Sequence, residues 1–302
     1  MALATGARHD LSYVPEVTFG TTPNTPTMKY LRQTGNTLAL AKNALASAEL
    51  RADRQIPFIR HGQRRVQGDI SFELSYGAFD DILEGALFGA WSTNVLKVGT
   101  TQKFYTFERR FVDVGEYYRF TGCMVNTMSL SIRPDAIVTG SFGIVGKDMS
   151  NASSALGSPT DVASNEPFDS FTGTIEEGGA SIATVTALDI NIDNGLDPAM
   201  VVGASTTPQF FAGRSNVTGT LSAYFETEAL LQKFIDETET SIEVALEDVD
   251  GNSLTILLPR IKYTGGSMDV TNEDGVVVNM PFQAVRDSSE ATNLKLTRAA
   301  AA

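Results

Sequence analysis

The sequence predicts a mainly β protein made of two tandem copies of one fold, each a β-sandwich or barrel with one flanking α-helix and a long β-hairpin. Three observations predict this: residues repeat at a fixed offset, long stretches alternate between apolar and polar residues, and each half has one apolar stripe with helical spacing. The expected organisation is an N-terminal arm (1–27), a first domain (28–149), a linker (150–167), a second domain (168–290) and a C-terminal tail (291–302).

The internal repeat has a constant offset of 151 residues. The matched pairs are Asn43/Asn194, Leu45/Leu196, Pro57/Pro208, Gly62/Gly213, Val66/Val217, Gly68/Gly219 and Ser71/Ser222. Farther along, the sequence offset becomes 140, where Met128, Phe142 and Val145 match Met268, Phe282 and Val285. Shared Pro and Gly positions in one ungapped register favour a duplication over chance.

Each copy contains one predicted helix followed by one predicted hairpin. The helical stripes are Phe79, Ile82, Leu83, Ala86 and Leu87 in the first copy, and Leu230, Leu231, Phe234 and Ile235 in the second. The first hairpin joins strands 124–132 and 137–145, and the second covers 263–285 with a turn at Asp274-Gly275. Residues 150–161, rich in Ser, Gly and Pro, are typical of a linker.

The negative net charge argues against a protein that binds nucleic acid tightly, because binding phosphates requires an excess of cations. The 302 residues carry 36 acidic and 23 basic side chains, a net charge of −13. Residues 1–151 hold 16 bases and 14 acids (+2), which leaves 7 bases and 22 acids (−15) for residues 152–302. The N-terminus lacks the apolar segment of a signal peptide, so we expect synthesis and retention in a cytosol.

No residue pattern predicts catalysis, a cofactor or a metal site. The two histidines are His9, in the expected mobile arm, and His61, in an Arg-rich loop. One cysteine, Cys123, lies in a predicted strand and is expected to be a small buried apolar residue. Residues 248–252 (DVDGN) resemble the start of a calcium loop but lack its later ligands, so a hairpin turn is predicted.

The two long loops between Asn43 and Gly62 and between Asn194 and Gly213 are the predicted contact surfaces, since long loops on a β-scaffold commonly serve binding. The candidate oligomerisation residues are Glu49, Arg51, Asp53, Arg54, Phe58, Arg60, Gln209, Phe210 and Arg214. The basic first loop is suited to nucleic acid or to an acidic protein surface, and the strongly acidic second half favours the protein.

Several segments resemble the major tail tube proteins of long, non-contractile bacteriophage tails. They are residues 66–76 (VQGDISFELSY), 79–83 (FDDIL), 120–132 (FTGCMVNTMSLSI), 217–225 (VTGTLSAYF) and 250–260 (DGNSLTILLPR), and the resemblance covers about 28–290. It implies a tail-tube fold, shared with type VI secretion tubes, and stacked rings through which double-stranded DNA passes. Because tubes of this family are six-fold, or three-fold when each chain carries two tube folds, trimers with pseudo-six-fold symmetry are expected.

The resemblance further implies a location in the virion tail after assembly in the host cytoplasm. The expected partners are other copies of the chain and the tape-measure, tail terminator and distal tail proteins, with DNA passing without specific binding. Alternatives are a tail terminator, a secretion needle tube, or a β-domain adhesin or carbohydrate-binding module. The adhesin alternative is weakened because the sequence has a single Trp, Trp91, for stacking on sugars.

Overall fold

The fold, taken from a computed structural model that describes residues 3–270, 273 and 275–301, is dominated by antiparallel strands. The first half contains a 3-10 turn (Gly6–Arg8), β1 (His9–Glu16), β2 (Lys29–Tyr30), β3 (Gly35–Asn36), β4 (Ala39–Ala46), β5 (Ile59–Glu73), α1 (Asp80–Leu87), β6 (Val95–Lys97), β7 (Phe104–Phe111), β8 (Glu116–Ile132), β9 (Thr139–Gly146) and β10 (Asp148–Ala152).

The second half follows a similar order. It contains β11 (Thr174–Glu177), β12 (Ala180–Ser181), β13 (Val185–Asp193), β14 (Asp197–Pro198), β15 (Phe210–Phe211), β16 (Asn216–Tyr224), α2 (Ala229–Ile235), β17 (Thr240–Glu247), β18 (Ser253–Tyr263), β19 (Ser267–Asp269), β20 (Val277–Ala284) and β21 (Lys295–Ala299). Within the described ranges, neither helix is long and apolar enough to span a membrane.

The strands of the two halves pair in the same order. In the first half, β4 pairs with β5, β5 with β9, β9 with β8, β8 with β7, and β7 with β1. In the second half, β13 pairs with β16, β16 with β20, β20 with β18, β18 with β17, and β17 with β11. The mainly β prediction is therefore confirmed, and the shared pairing order agrees with the sequence repeat.

The core of the first half lies between two layers of strands. Strand β8 belongs to both layers, because residues 116–123 pair with β7 and residues 124–131 pair with β9. Phe72 and Phe142 stack with ring centroids 4.3 Å apart on one layer, while Tyr13 and Phe107 pack from the other. Burying these aromatic rings supplies much of the hydrophobic stabilisation of this half.

In the part of the chain that the structure describes, two pairs of the strands named above connect the halves. Strand β8 pairs with β13 along residues 127–132, and β6 pairs with β21 near the C-terminus. Buried residues of both halves form one continuous hydrophobic cluster. The division of the chain into two tandem domains stays a prediction, since the two halves share a sheet and a core.

The expected N-terminal arm and C-terminal tail contain strands of the fold. Strand β1 lies between β2 and β7, and Leu11 and Tyr13 are each 1% exposed, so the expectation of a mobile arm is wrong for residues 9–16. Strand β21 pairs with both β18 and β6, and Leu296 is buried. Both segments are held in the folded structure because their apolar side chains are buried in the core.

The expected linker is attached to the first half along its length. Its first residues belong to β10, which pairs with β8. The backbone N–H of Tyr30 donates to Thr160 O at 2.9 Å, and Arg32 Nη1 donates to Asn165 O at 2.6 Å. These hydrogen bonds hold the polar segment against the surface, although its composition is typical of a flexible connection.

The predicted helices and the first hairpin are confirmed. Five residues of α1 are buried, whereas no residue of α2 is. Strands β8 and β9 form the first hairpin, and β20 returns in the second, where the predicted turn residue Asp274 lies outside the described residues. The pairing partners correct the later repeat offset from 140 to 138, because Gly68 faces Ile144 and its match Gly219 faces Phe282.

Candidate functional site

One sheet runs through both halves and presents a polar face. Its strands pair in the order β4, β5, β9, β8, β13, β16, β20 and β19. Side chains alternate along each strand, so the inward positions are apolar. Ile70, Phe142, Leu130, Ile190 and Leu221 are among these buried residues.

The opposite face of this sheet carries small polar side chains and acids. One row of directly paired positions reads Ser71, Ser141, Ser129, Asn191, Thr218 and Gln283. The same face carries the carboxylates of Asp69, Glu73, Asp189 and Asp193, with Arg133 Nη2 2.7 Å from Asp189 Oδ2. The same face also carries the cations Arg65 and Lys262, so acids and bases alternate on it and it has no continuous cationic patch of the kind that holds phosphates.

The first predicted contact loop is the tip of the β4–β5 hairpin. Glu49, Arg51, Asp53 and Arg54 are exposed, and Arg51 Nη2 lies 3.1 Å from Asp53 Oδ2. The hydrogen bond from Arg51 holds the pKa of the Asp53 carboxyl below its ordinary value, with a smaller contribution from the Gln55 backbone N–H. Because this pair is in solvent, it contributes little to stability and leaves both groups accessible.

The same hairpin exposes an apolar surface beside its basic residues. The exposed fractions are 58% for Leu45, 97% for Leu50, 64% for Ile56, 67% for Phe58 and 63% for Ile59. Arg60 is exposed next to them and pairs with Leu45 across the hairpin. Contiguous exposed apolar residues flanked by charges are typical of a protein interaction surface.

The second predicted contact loop packs against the chain itself. The ring of Phe210 is 5% exposed, lies 5.9 Å from that of Phe19, and belongs to a cluster with Phe88 and Met124. Phe210 is therefore not free for contacts between chains, which corrects its assignment to such a surface. The neighbouring candidate residues Gln209 and Arg214 are exposed.

The two loops come together through polar contacts rather than through the predicted residues. Gln63 Nε2 donates to Val201 O at 3.1 Å and to Ala204 O at 3.0 Å, and the Arg64 N–H donates to Ser205 O at 2.8 Å. The second loop thus lies beside the base of the first hairpin, while residues 49–54 at the tip of that hairpin are exposed.

Asn194 connects the two halves by hydrogen bonds, a role that its sequence pattern did not predict. Its Nδ2 donates to Ala86 O in α1 at 2.9 Å and to Val125 O in β8 at 3.1 Å, and the residue is 3% exposed. The matched residue Asn43 lies at a bulge of β4 and is exposed. The repeated Asn was visible in the sequence, but its partners are remote along the chain.

The residues considered for chemistry have structural roles. His9 lies in β1, where burial and then the charge of Arg109 lower the pKa of its imidazole. Cys123 is fully buried as expected, and burial raises the pKa of its thiol. Asp248 Oδ1 accepts from the N–H groups of Asp250 and Asn252, as in a turn. Among residues 3–270, 273 and 275–301, no three His, Cys, Asp or Glu side chains form a metal-binding group.

Comparison with known proteins agrees with these structural roles. No curated protein sequence matches the chain at significant similarity. A family model described as phage tail tube protein matches residues 6–284, which is nearly the whole chain and includes the first predicted copy and most of the second. The family is one of structural proteins of the virion tail and not one of enzymes. The chain belongs to the phage tail tube protein family.

Proposed function

We propose that three copies of this chain form a ring with pseudo-six-fold symmetry, and that rings stack into a tube that conducts double-stranded DNA during ejection. The observation that carries this proposal is the sheet that crosses from the first half to the second through β8 and β13. A sheet that already joins two similar units can be extended by further units until it closes on itself.

The repeated pairing order supports three chains rather than six. Each chain supplies two segments of the same strand order, β4–β5–β9–β8 and β13–β16–β20–β18. Three chains therefore supply six similar segments to one ring. This arrangement would remove the exposed sheet edges that otherwise promote uncontrolled aggregation.

The polar face of the continuous sheet is the proposed lining of the tube. Its hydroxyl, amide and carboxylate groups do not form the cationic surface that holds DNA, and the whole chain has a charge of −13. DNA would then slide past without specific binding. The proposed partners at the ends and in the lumen are the tail terminator, distal tail and tape-measure proteins, with assembly in the host cytoplasm.

The tip of the β4–β5 hairpin is the proposed contact between stacked rings. It combines Arg51, Arg54 and Arg60 with exposed apolar residues, and the second half of the chain carries an excess of acids. We expect the triple variant Arg51→Glu, Arg54→Glu and Arg60→Glu to keep the circular dichroism and thermal melt of the monomer but to assemble poorly. The matched variant with three Lys substitutions controls for side-chain size, and equal assembly of both variants would contradict this contact.

Electron microscopy of the purified protein tests the proposed function directly. Hollow tubes with three chains per ring are the expected result. Isolated rings would indicate a terminator, and six chains per ring would contradict the role of the repeat in ring symmetry. Protein that stays monomeric after concentration and after seeding with native tails would contradict the tube function.

A further inference from the structure

The junction between the two halves provides a template for a junction between two chains. At this junction, β13 pairs with β8 so that Asn191 faces Ser129, Ile190 faces Leu130 and Leu188 faces Ile132. The corresponding positions lie on β4 and β19, the strands at the two outer ends of the continuous sheet.

Strand registers identify those corresponding positions. Val125 faces Ile144 in β9 and Tyr263 faces Phe282 in β20, so residues of β8 correspond to residues 138 positions later. Leu40 faces Val66 and Ile192 faces the matched Val217, so residues of β3 and β4 correspond to residues 152 positions later. The second relation holds again where Asn36 faces Ile70 and Leu188 faces Leu221.

We propose that residues 36–41 of one chain pair antiparallel with residues 265–270 of a second copy, with Ala39 opposite Ser267, Leu38 opposite Met268, and Asn36 opposite Val270. This inference rests on the proposed ring, and it specifies the strands and register that close it. Both edges are accessible, because within the described part of the chain β4 pairs with β5 alone and β19 pairs with β20 alone.

Exposed apolar residues mark one of the two edges. Met268 is 40% exposed and Val270 is 72% exposed. Their corresponding residues Leu130 and Ile132 are 3% and 4% exposed, because β13 covers them. A second copy that placed its β4 beside β19 would cover Met268 and Val270 in the same way and gain the free energy of burying them.

At the other edge, β4, side chains of the same chain form hydrogen bonds with the outward backbone groups of Leu38. The N–H of Leu38 donates to Asn36 Oδ1 at 2.8 Å, and its carbonyl accepts from Arg109 Nη1 at 2.9 Å. These bonds protect a strand edge that would otherwise attract any extended segment. Pairing with Met268 of a second copy would exchange them for backbone hydrogen bonds and would release Asn36 and Arg109 to solvent.

Asn43, the sequence match of Asn194, lies on β4 next to the proposed junction. Its match Asn194 donates to Val125 O and Ala86 O across the junction inside the chain. The residue corresponding to Val125 is Tyr263, which ends β18 beside the proposed seam. By strand register the position of Asn194 corresponds to Lys42, and continuing the proposed pairing places Asn43 opposite Tyr263 of the second copy.

Disulfide trapping tests the register. The N–H of Thr37 donates to Asp69 O in β5, so by alternation Ala39 also turns its backbone groups to β5. Ala39 and Ser267 would then form a non-hydrogen-bonded pair with Cα atoms about 4.5 Å apart, within the range for a disulfide. The single variants Ala39→Cys and Ser267→Cys are mixed and oxidised during assembly. We expect covalent dimers that a reductant separates into monomers.

The control moves one cysteine by two residues. Ala41→Cys mixed with Ser267→Cys should crosslink at least tenfold less, because diagonal positions lie about 7–8 Å apart. The native Cys123 is fully buried and serves as the background in wild-type protein. The same samples are imaged by electron microscopy.

The two methods separate this inference from the proposed function. Tubes without the 39–267 crosslink, or with preferential 41–267 crosslinking, would overturn the register. Wild-type protein that forms no tubes would overturn the proposed function instead. If either single cysteine variant fails to assemble while its monomer has the thermal melt of wild type, that result would support the placement of the substituted residue at the junction between chains.

Discussion

The helices α1 and α2 share an apolar spacing but differ in burial. Ile82 and Ala86 of α1 are 0% exposed, whereas Ile235 of α2 is 61% exposed. Helix α1 contacts β8 and β6 and receives the Asn194 side chain from the second half, while α2 contacts β18 and packs Leu230 and Phe234 against the core, where both stay partly buried. A helical stripe therefore indicates which face of a helix can be buried, whereas the burial itself requires an element that covers this face.

Asn194 and Asn43 differ in the same way. Asn194 is 3% exposed and bridges the two halves, and its match Asn43 is exposed at the outer end of the sheet. Asn43 thus matches a residue that the other half of the chain covers. This difference is expected if a neighbouring chain covers the outer surfaces in the assembled tube.

The largest expected effect is on the stability of the unassembled chain when α1 is altered. Ile82→Ala should lower the free energy of unfolding by about 2–5 kcal/mol, because it leaves a cavity at a fully buried site. Ile235→Ala, the matched change in α2, should lower it by less than about 0.5 kcal/mol. Urea denaturation of both monomers checks this, and equal losses would contradict the difference between the helices.

An intermediate effect is expected for the paired asparagines. Asn194→Ala should destabilise the monomer by about 1–3 kcal/mol, since Ala86 O and Val125 O would lose a buried donor. Asn43→Ala should leave the monomer unchanged and reduce assembly, measured by light scattering at matched concentration. An Asn43→Ala variant with a destabilised monomer and normal assembly would contradict its assignment to a junction between chains.

The smallest expected effect is a pH dependence from His9. Burial lowers its pKa below the ordinary value of 6.5, so just below that pH the unfolded chain binds more protons than the folded chain. The free energy of unfolding should thus fall as the pH drops below 6.5 towards the folded pKa, and less steeply in His9→Gln. Urea denaturation at several pH values from 8 to 5 measures both slopes, and parallel slopes would exclude a contribution from His9.

The sequence predicted the repeated elements well because their patterns are local. The stripe that includes Phe79 and Ile82 became α1, and the alternating residues of 124–145 became β8 and β9. The exposed basic loop was also predicted, since charged residues such as Arg51 and Arg54 stay in solvent whatever conformation their loop adopts.

Other features were not predictable because their partners are distant in the sequence. Residues 9–16 were expected in an arm, yet pairing with β7 and core packing of Tyr13 make them a strand. Phe210 was expected at a contact surface, yet its cluster with Phe88 and Met124 buries it. In each case an interaction over more than 80 positions decided the outcome.

The sequence by itself determined the β class, the repeat and the acidic charge of this tail tube family member. Alternation and spacing are local patterns, and the net charge is a sum over all residues. Only the tertiary structure decided which repeated positions are covered and which strand edges stay open. The physical reason is that burial and backbone pairing depend on an opposing surface: Leu130 and Met268 are equivalent along their strands, but β13 pairs beside Leu130 and no described strand pairs on that side of Met268.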